Sequence, residues 1–273
     1  MIKKIQKNKI VTLAAVFIMT MILFALFAPF IATHDPSVID SENILAAPSR
    51  SHIFGTDTLG RDIFSRVVYG ARISLSISFA AVILAVTIGV LFGSAAGYYG
   101  GRIDYCLMRF VDVMLCFPTL FLILAVVAIL EPSMWNIIAV IGATSWMGVA
   151  RLVRAEVLTL KERDYISAAR VMGASDTRII SRHLMPNAIG PVIVSATLGV
   201  GGAILMESSL SFLGIGVQPP TPSWGNILMD GRSTLGVAWW LTVYPGLFIM
   251  FTVLSYNLLG ERLRDHFEPG IKR

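Results

Sequence analysis

The chain has 273 residues; 55% are hydrophobic and only 14% are charged, and the mean hydropathy is +0.74. A soluble domain carries about 25% charged residues, so most of this chain is expected to lie in lipid. The net charge of +5 then reads as Lys and Arg held on one side of a membrane rather than as a nucleic-acid surface.

Lys3, Lys4, Lys7 and Lys9 precede an uncharged run of 23 residues, Ile10 to Ala32. About 20 apolar residues span a bilayer core, whereas a cleaved signal peptide has an apolar core of roughly 7–15. The run therefore reads as an uncleaved first span. Residues 33–72 are polar, with a turn-rich cluster at Gly55, Asp57, Gly60, Arg61 and Asp62. Ile73 to Tyr99 reads as a second span. In it Gly89, Gly93 and Gly97 recur every four residues, on one helix face. Glycine is common in membrane spans, but three in register favour a surface for close helix approach.

A short polar turn at Gly100 to Asp104 leads past Arg109 and Asp112 to a third span, Val113 to Leu130. Glu131 and Pro132 mark a turn, and the fourth run extends from Pro132 to Ala150. Residues 151–187 follow as a charged interruption holding Arg151, Arg154, Lys161, Arg163, Arg170, Arg178 and Arg182. At its centre stand the small residues Ala168, Ala169, Gly173 and Ala174. Leu184 to Met206 is the fifth run, with Pro186, Gly190 and Pro191 in its first turns. Glu207 follows, in an interfacial structural place or facing a transport pathway, since a charge at mid-bilayer costs about 2.5–3.5 kcal/mol. Residues 214–232 read as an irregular or re-entrant loop, which at membrane depth has to be buried or line a cavity. Ser233 to Gly260, interrupted by Pro245 and Gly246, is the sixth run, and a charged tail ends the chain.

Six spans put both termini on one side. That side collects 17 Lys and Arg and the other collects five, which places the termini and the 151–187 loop in the cytoplasm. The arginines of the loop read as mainly topogenic.

Chemical motifs are sparse. There is no GxxxxGK[ST] phosphate loop and no HExxH zinc helix. Cys106 and Cys116 read as small buried hydrophobes. His34, His52, His183 and His266 are scattered without ligand spacing. No metal site is expected; for His34 and His52, on the outward side, a metal role is a secondary reading. The chain is not expected to be an enzyme, and energy for any transport has to enter from a partner.

Ala168-Ala169, three residues, Gly173, nine residues, then His183-Leu184-Met185-Pro186 resembles the EAA loop of permease subunits in ATP-binding-cassette (ABC) importers. Ser167 stands where Glu is usual, His183 where Ile is usual and Met185 where Leu is usual. FGTDTLGRDIFSR at 54–66, YGARISL at 69–75, SSLSFLGIGVQPPTPSWG at 208–225 and NLLGERLRDHFEP at 257–269 are similar to the second, C-type permease of dipeptide, oligopeptide and nickel-type importers.

The resemblance implies an all-α membrane protein of the type I ABC importer permease fold, with six transmembrane helices and cytoplasmic termini, in a bacterial cytoplasmic membrane. It divides the chain into a span and extracytoplasmic loop at 1–72, a permease domain at 73–262 and a tail at 263–273. It implies a peptide importer subunit, alternatively one for nickel or a nickel chelate, working with a second permease, two ATPase subunits that bind ATP and magnesium, and an extracytoplasmic binding protein. No cofactor is expected in this chain. The resemblance also implies that the loop forms coupling helices. Ser167, Ala168, Ala169, Gly173 and Ala174 would face the ATPase, Ser175 would cap a second short helix, and Pro186 would end it and start the fifth span. An ATPase-independent channel or scaffold is the reading from another class.

Overall fold

The structure is a computed structural model that describes residues 2–131 and 133–267. Pro132 and the end of the tail, with Lys272 and Arg273, lie outside the described residues, as do the side chains of Lys3, Lys4 and Lys7. The described residues are helical, with no strand beyond an isolated bridge between Thr56 and Asp62. Helix α1 covers Ile2–Leu26 and α2 Ala28–Ile31. They part at Phe27 because Pro29 lacks an N–H for the ladder and its ring crowds the preceding turn. Helix α3 spans Ile63–Tyr99, α4 Gly101–Leu115, α5 Thr119–Ile129 and α6 Met134–Leu160. Short helices α7, Asp164–Val171, and α8, Asp176–Ile179, lead through a π-helical turn at Ile180–Leu184 into α9, Met185–Phe212. Helix α10 is Trp224–Gly231 and α11 is Trp240–Phe267.

Several sequence boundaries move for identifiable reasons. The second span begins at Ile63, not Ile73, because Asp62 caps α3 by accepting from the Ser65 N–H at 2.8 Å. Hydropathy misses this first part because Arg66 and Arg72 lie in it. The third span is broken. Helices α4 and α5 meet at 84° across residues 116–118, where Pro118 cannot continue a helix. The charged interruption is helical for its first ten residues, 151–160, as the end of α6. The sixth run becomes helical only at Trp240, and α11 then passes through Pro245. Cys106 and Cys116 are exposed rather than buried; in a membrane-spanning chain an apolar surrounding need not be the protomer's interior.

The glycine repeat forms the α3–α6 contact. A Cβ added at Gly89 would lie 2.5 Å from Val149 Cβ, at Gly93 2.5 Å from the Ala150 carbonyl oxygen, and at Gly97 2.9 Å from Val157 Cβ. Both sets of numbers rise together, so α3 and α6 run parallel. The chain between them has to return, and α4 and α5 carry it back. Asp104 pairs with Arg154 at the end of α6, while Ile123 and Val127 of α5 share a core with Ile137 and Ile141 near its start. Among the described residues five helices are long and apolar enough to cross a membrane, and the bent α4–α5 pair brings the number to six if it counts as one span.

Residues 214–232 fold inward and their polar groups are satisfied. Ser223 and Asn226 form a reciprocal capping box at the start of α10. The Asn226 amide donates to the Val217 and Thr221 carbonyls at 3.2 and 2.8 Å. Trp224, fully buried, donates its indole N–H to the Val67 carbonyl of α3 at 3.0 Å.

Gly93→Val is expected to destabilise the protomer by about 1–3 kcal/mol through overpacking against the α6 backbone. Gly148→Ala, whose added Cβ meets nothing within 4 Å, should be close to neutral. Thermal unfolding of the two variants in detergent measures the difference.

Candidate coupling surface and buried polar sites

The segment after α6 is anchored on one face and open on the other. Ile166 of α7 and Ile179 of α8 are fully buried in one cluster with Val153, Val157, Leu184 and Val192. These contacts fasten both short helices to α6 and α9. The opposite face carries Ser167 and Ala168, both exposed, with Ala169 half-buried, whereas Ala174 packs against the buried cluster. Val171 and Met172 are 89% and 87% exposed. Small residues beside two unburied apolar side chains make a surface that a partner can approach closely.

Gly173 supplies the turn. Its φ is +78°, a left-handed conformation that costs a side-chain-bearing residue roughly 1–2 kcal/mol. Its N–H donates to the Arg170 carbonyl at 2.9 Å, and the Ala174 N–H donates to the Ala169 carbonyl at 3.0 Å. The two bonds form a Schellman motif, which closes α7 and fixes the direction of α8. Ser175 occupies the N-cap position of α8, but its side chain makes no cap bond. Pro186 does not end that helix. Helicity runs unbroken from Asp176 to Phe212, and the π turn just before Pro186 is where the backbone accommodates its missing N–H.

Tyr98, near the end of α3, touches both short helices. Its hydroxyl donates to Asp176 Oδ1 at 2.6 Å, and the Arg170 guanidinium lies over its ring, 5.4 Å from the centroid. Lys161 donates to the Gly97 carbonyl at 3.0 Å. Arg154 makes a two-point pair with Asp104, the second contact at 2.6 Å, and Arg151 pairs with Asp112. Four of the seven basic residues of 151–187 thus have specific structural partners, beyond any topogenic part.

Glu207 has no exposed surface. It accepts from Ser74 of α3 and from Ser211, each at 2.8 Å. Ser74 Oγ in turn accepts from the Trp224 N–H at 3.3 Å. The carboxylate therefore ties α3, α9 and α10 together inside the protomer. A second buried polar group sits at the start of α3. Asp57 accepts from Arg61 at 2.6 Å and from Arg66 at 3.0 Å, and both arginines also reach Asp230 at 3.1 Å.

The histidines do not all stay apart. His34 and His52 stack with ring centroids 4.9 Å apart, and both Nδ1 atoms face Asp62. Separations of 18 and 10 positions along the chain carry no ligand pattern, so spacing alone could not find this group.

Comparisons with known proteins agree with this architecture. The family described as "Binding-protein-dependent transport system inner membrane component" matches residues 89–273, and the "N-terminal TM domain of oligopeptide transport permease C" matches residues 1–48. The chain is 44% identical to the dipeptide transport system permease protein DppC of Alkalihalophilus pseudofirmus, over 99% of this chain and 89% of the relative. It is 38% identical to the oligopeptide transport system permease protein OppC of Bacillus subtilis, over 99% and 88%. It is 43% identical to the glutathione transport system permease protein GsiD of Escherichia coli, over 99% and 89%. Among solved structures, an inward-facing MetNI methionine ABC transporter chain aligns with a TM-score of 0.59 at 17% identity, covering 75% of this chain and 97% of that one. At that identity the likeness speaks for the fold.

Tyr98→Phe removes the bond to Asp176 but keeps the ring under Arg170. A hydrogen bond to a charged group contributes about 1.5–3 kcal/mol, less where water replaces it. Amide hydrogen exchange over residues 164–179 should rise by roughly tenfold, while exchange at the α3–α6 contact stays unchanged.

Proposed function

We propose a peptide-import role from this premise: the chain belongs to the binding-protein-dependent transport system inner membrane component family, the membrane permease subunits of ABC importers. Membership implies an ATPase and a permease as partners. The finer composition we propose is one second permease, two ATPase subunits holding ATP and magnesium, and an extracytoplasmic binding protein that delivers the solute. The solute class we propose is small peptides, in keeping with the dipeptide, oligopeptide and glutathione names of the relatives.

The observation that carries the coupling assignment is the exposed Val171–Met172 edge on a helix pair whose other face is buried in the spans. An apolar edge of this kind loses water contact when it enters a cleft on the ATPase. Ala168 lets the surfaces approach, and Ser167 offers a hydroxyl where the family pattern has a carboxylate, so this contact does not depend on a salt bridge at that position. Gly173 sets the angle of the pair. Ile166, Ile179 and Tyr98 make the pair move with α3, α6 and α9 as one body when the ATPase closes. The 17-to-5 charge distribution supports a cytoplasmic position for this surface and for both termini.

Val171→Asp with Met172→Asp places two charges on the docking edge and leaves the buried face untouched. The variant should insert normally, lose co-purification of the ATPase by at least about tenfold and lose peptide uptake. Undiminished ATPase retention would move the docking surface away from this edge, and a wild type that holds no ATPase under mild detergent conditions would favour an ATPase-independent channel. In a background without Cys106 and Cys116, Arg178→Cys should react with an impermeant thiol reagent only after permeabilisation, and Ile39→Cys in intact cells. The reverse pattern would invert the topology.

A further inference from the structure

We propose that His34, His52 and Asp62 form a binding site for one divalent transition-metal ion at the end of α3 remote from the coupling helices. His52 Nδ1 lies 3.0 Å from Asp62 Oδ1, and His34 Nδ1 lies 3.8 Å from the same oxygen. The three ligand atoms all fall within 4.8 Å of one another. Zinc bonds to His nitrogen at about 2.0–2.1 Å and to carboxylate oxygen at about 2.0–2.2 Å, which sets a tetrahedral ligand-to-ligand edge of about 3.4 Å. The two observed distances lie on either side of that value. The His34 side chain is 43% exposed, so its ring can turn and an ion can enter past it.

The surroundings fit a ligand set. Asp62 divides its oxygens between two tasks. Oδ2 accepts from the Ser65 N–H at 2.8 Å, the Ser65 hydroxyl at 2.7 Å and the Thr33 hydroxyl at 3.4 Å. Oδ1 is left facing the two imidazoles. Such outer bonds orient a ligating carboxylate, as second-shell groups do in metal sites. The two rings stack at 29° with centroids 4.9 Å apart, which keeps both Nδ1 atoms beside Asp62 Oδ1. The nearby cations are engaged elsewhere, Arg61 and Arg66 being paired with Asp57 and Asp230. Water completes the coordination. Two imidazoles and one carboxylate favour zinc, nickel or copper over magnesium or calcium.

An ion here has a structural consequence. His34 lies just beyond α2, His52 is in the following loop and Asp62 caps α3. One ion therefore fastens the N-terminal span and the loop to the first turn of α3. Asp62 and His52 are buried within the protomer, which marks the ion as a resident rather than as cargo on an open passage. Helix α3 is about 54 Å long at 1.5 Å per residue, so the site is far from the ATPase contact.

The test uses the assembled transporter in detergent, stripped with a chelator and titrated with cobalt(II), whose visible absorption reports bound, low-coordinate metal. Wild type should gain one cobalt per copy of this chain relative to the His34→Ala transporter, zinc should displace it, and magnesium should not. His34→Ala and His52→Ala should each weaken binding at least tenfold, whereas His183→Ala should not. Zinc should raise the unfolding midpoint of wild type and not that of His34→Ala, with the two transporters matching in the absence of metal. Because His34 is exposed, that variant decides the matter even if His52→Ala fails to assemble. Equal cobalt binding by wild type and His34→Ala, or no binding by either, would overturn the proposal.

Discussion

The close contact of α3 with α6 is the constraint on which the other features depend. Gly89, Gly93 and Gly97 let α6 come within contact of the α3 backbone over two turns. In lipid the hydrophobic effect gives helices little reason to associate, so van der Waals contact and polar bonds carry the association. A seam without side chains on one helix maximises the first of these. Along this seam α3 and α6 run parallel, and this makes the bent α4–α5 pair the return path. Helix α3 then works as a strut, with Asp62 and the polar cluster at one end and Tyr98 at the other.

The polar interactions supply specificity that the apolar seam lacks. Glu207, fully enclosed, holds three segments through serine hydroxyls. The Asp57, Arg61, Arg66 and Asp230 group joins the loop before α3, and its first turn, to α10. Burial pushes the Asp230 carboxyl above the ordinary carboxylate range, against the pull of Arg66 and Arg61. Removing one member of such a group leaves a buried charge without its partner, which costs more than the intact group contributes. Each group also includes a long-range bond to α3, Ser74 to Glu207 in one and Arg66 to Asp230 in the other.

Much of this was readable in the sequence where a local period or a turn chemistry encodes it. The four-residue glycine repeat identified the seam, and the Ala-Ala-x-x-x-Gly spacing fell on the turn between the short helices α7 and α8. Charge content misled where helices leave the apolar layer. Arg66 hid the start of α3, and Arg151 and Arg154 made the end of α6 look like a loop. Pro118 was visible as a residue, but the size of the bend depends on what α4 and α5 pack against. Pro186 looked like a helix break, and a π turn absorbs it. The pairing of His34, His52 and Asp62 had no local signal because the chain brings them together only through tertiary structure. Glu207 read as an interfacial or pathway carboxylate; its enclosure depends on Ser74 of α3, which only the tertiary structure brings to it.

The central claim is that α7 and α8 move with α3 as a single body when ATP binds. It is tested most directly by pulsed spin-label distance measurement between Ile83 on α3 and Arg178 on α8 in the assembled transporter, with and without trapped ATP. Both positions are exposed and outside the docking edge. The account predicts an unchanged Ile83–Arg178 distance within the protomer, while the distance from Arg178 to a label on the second permease shifts. A change of several ångströms within the protomer would contradict it.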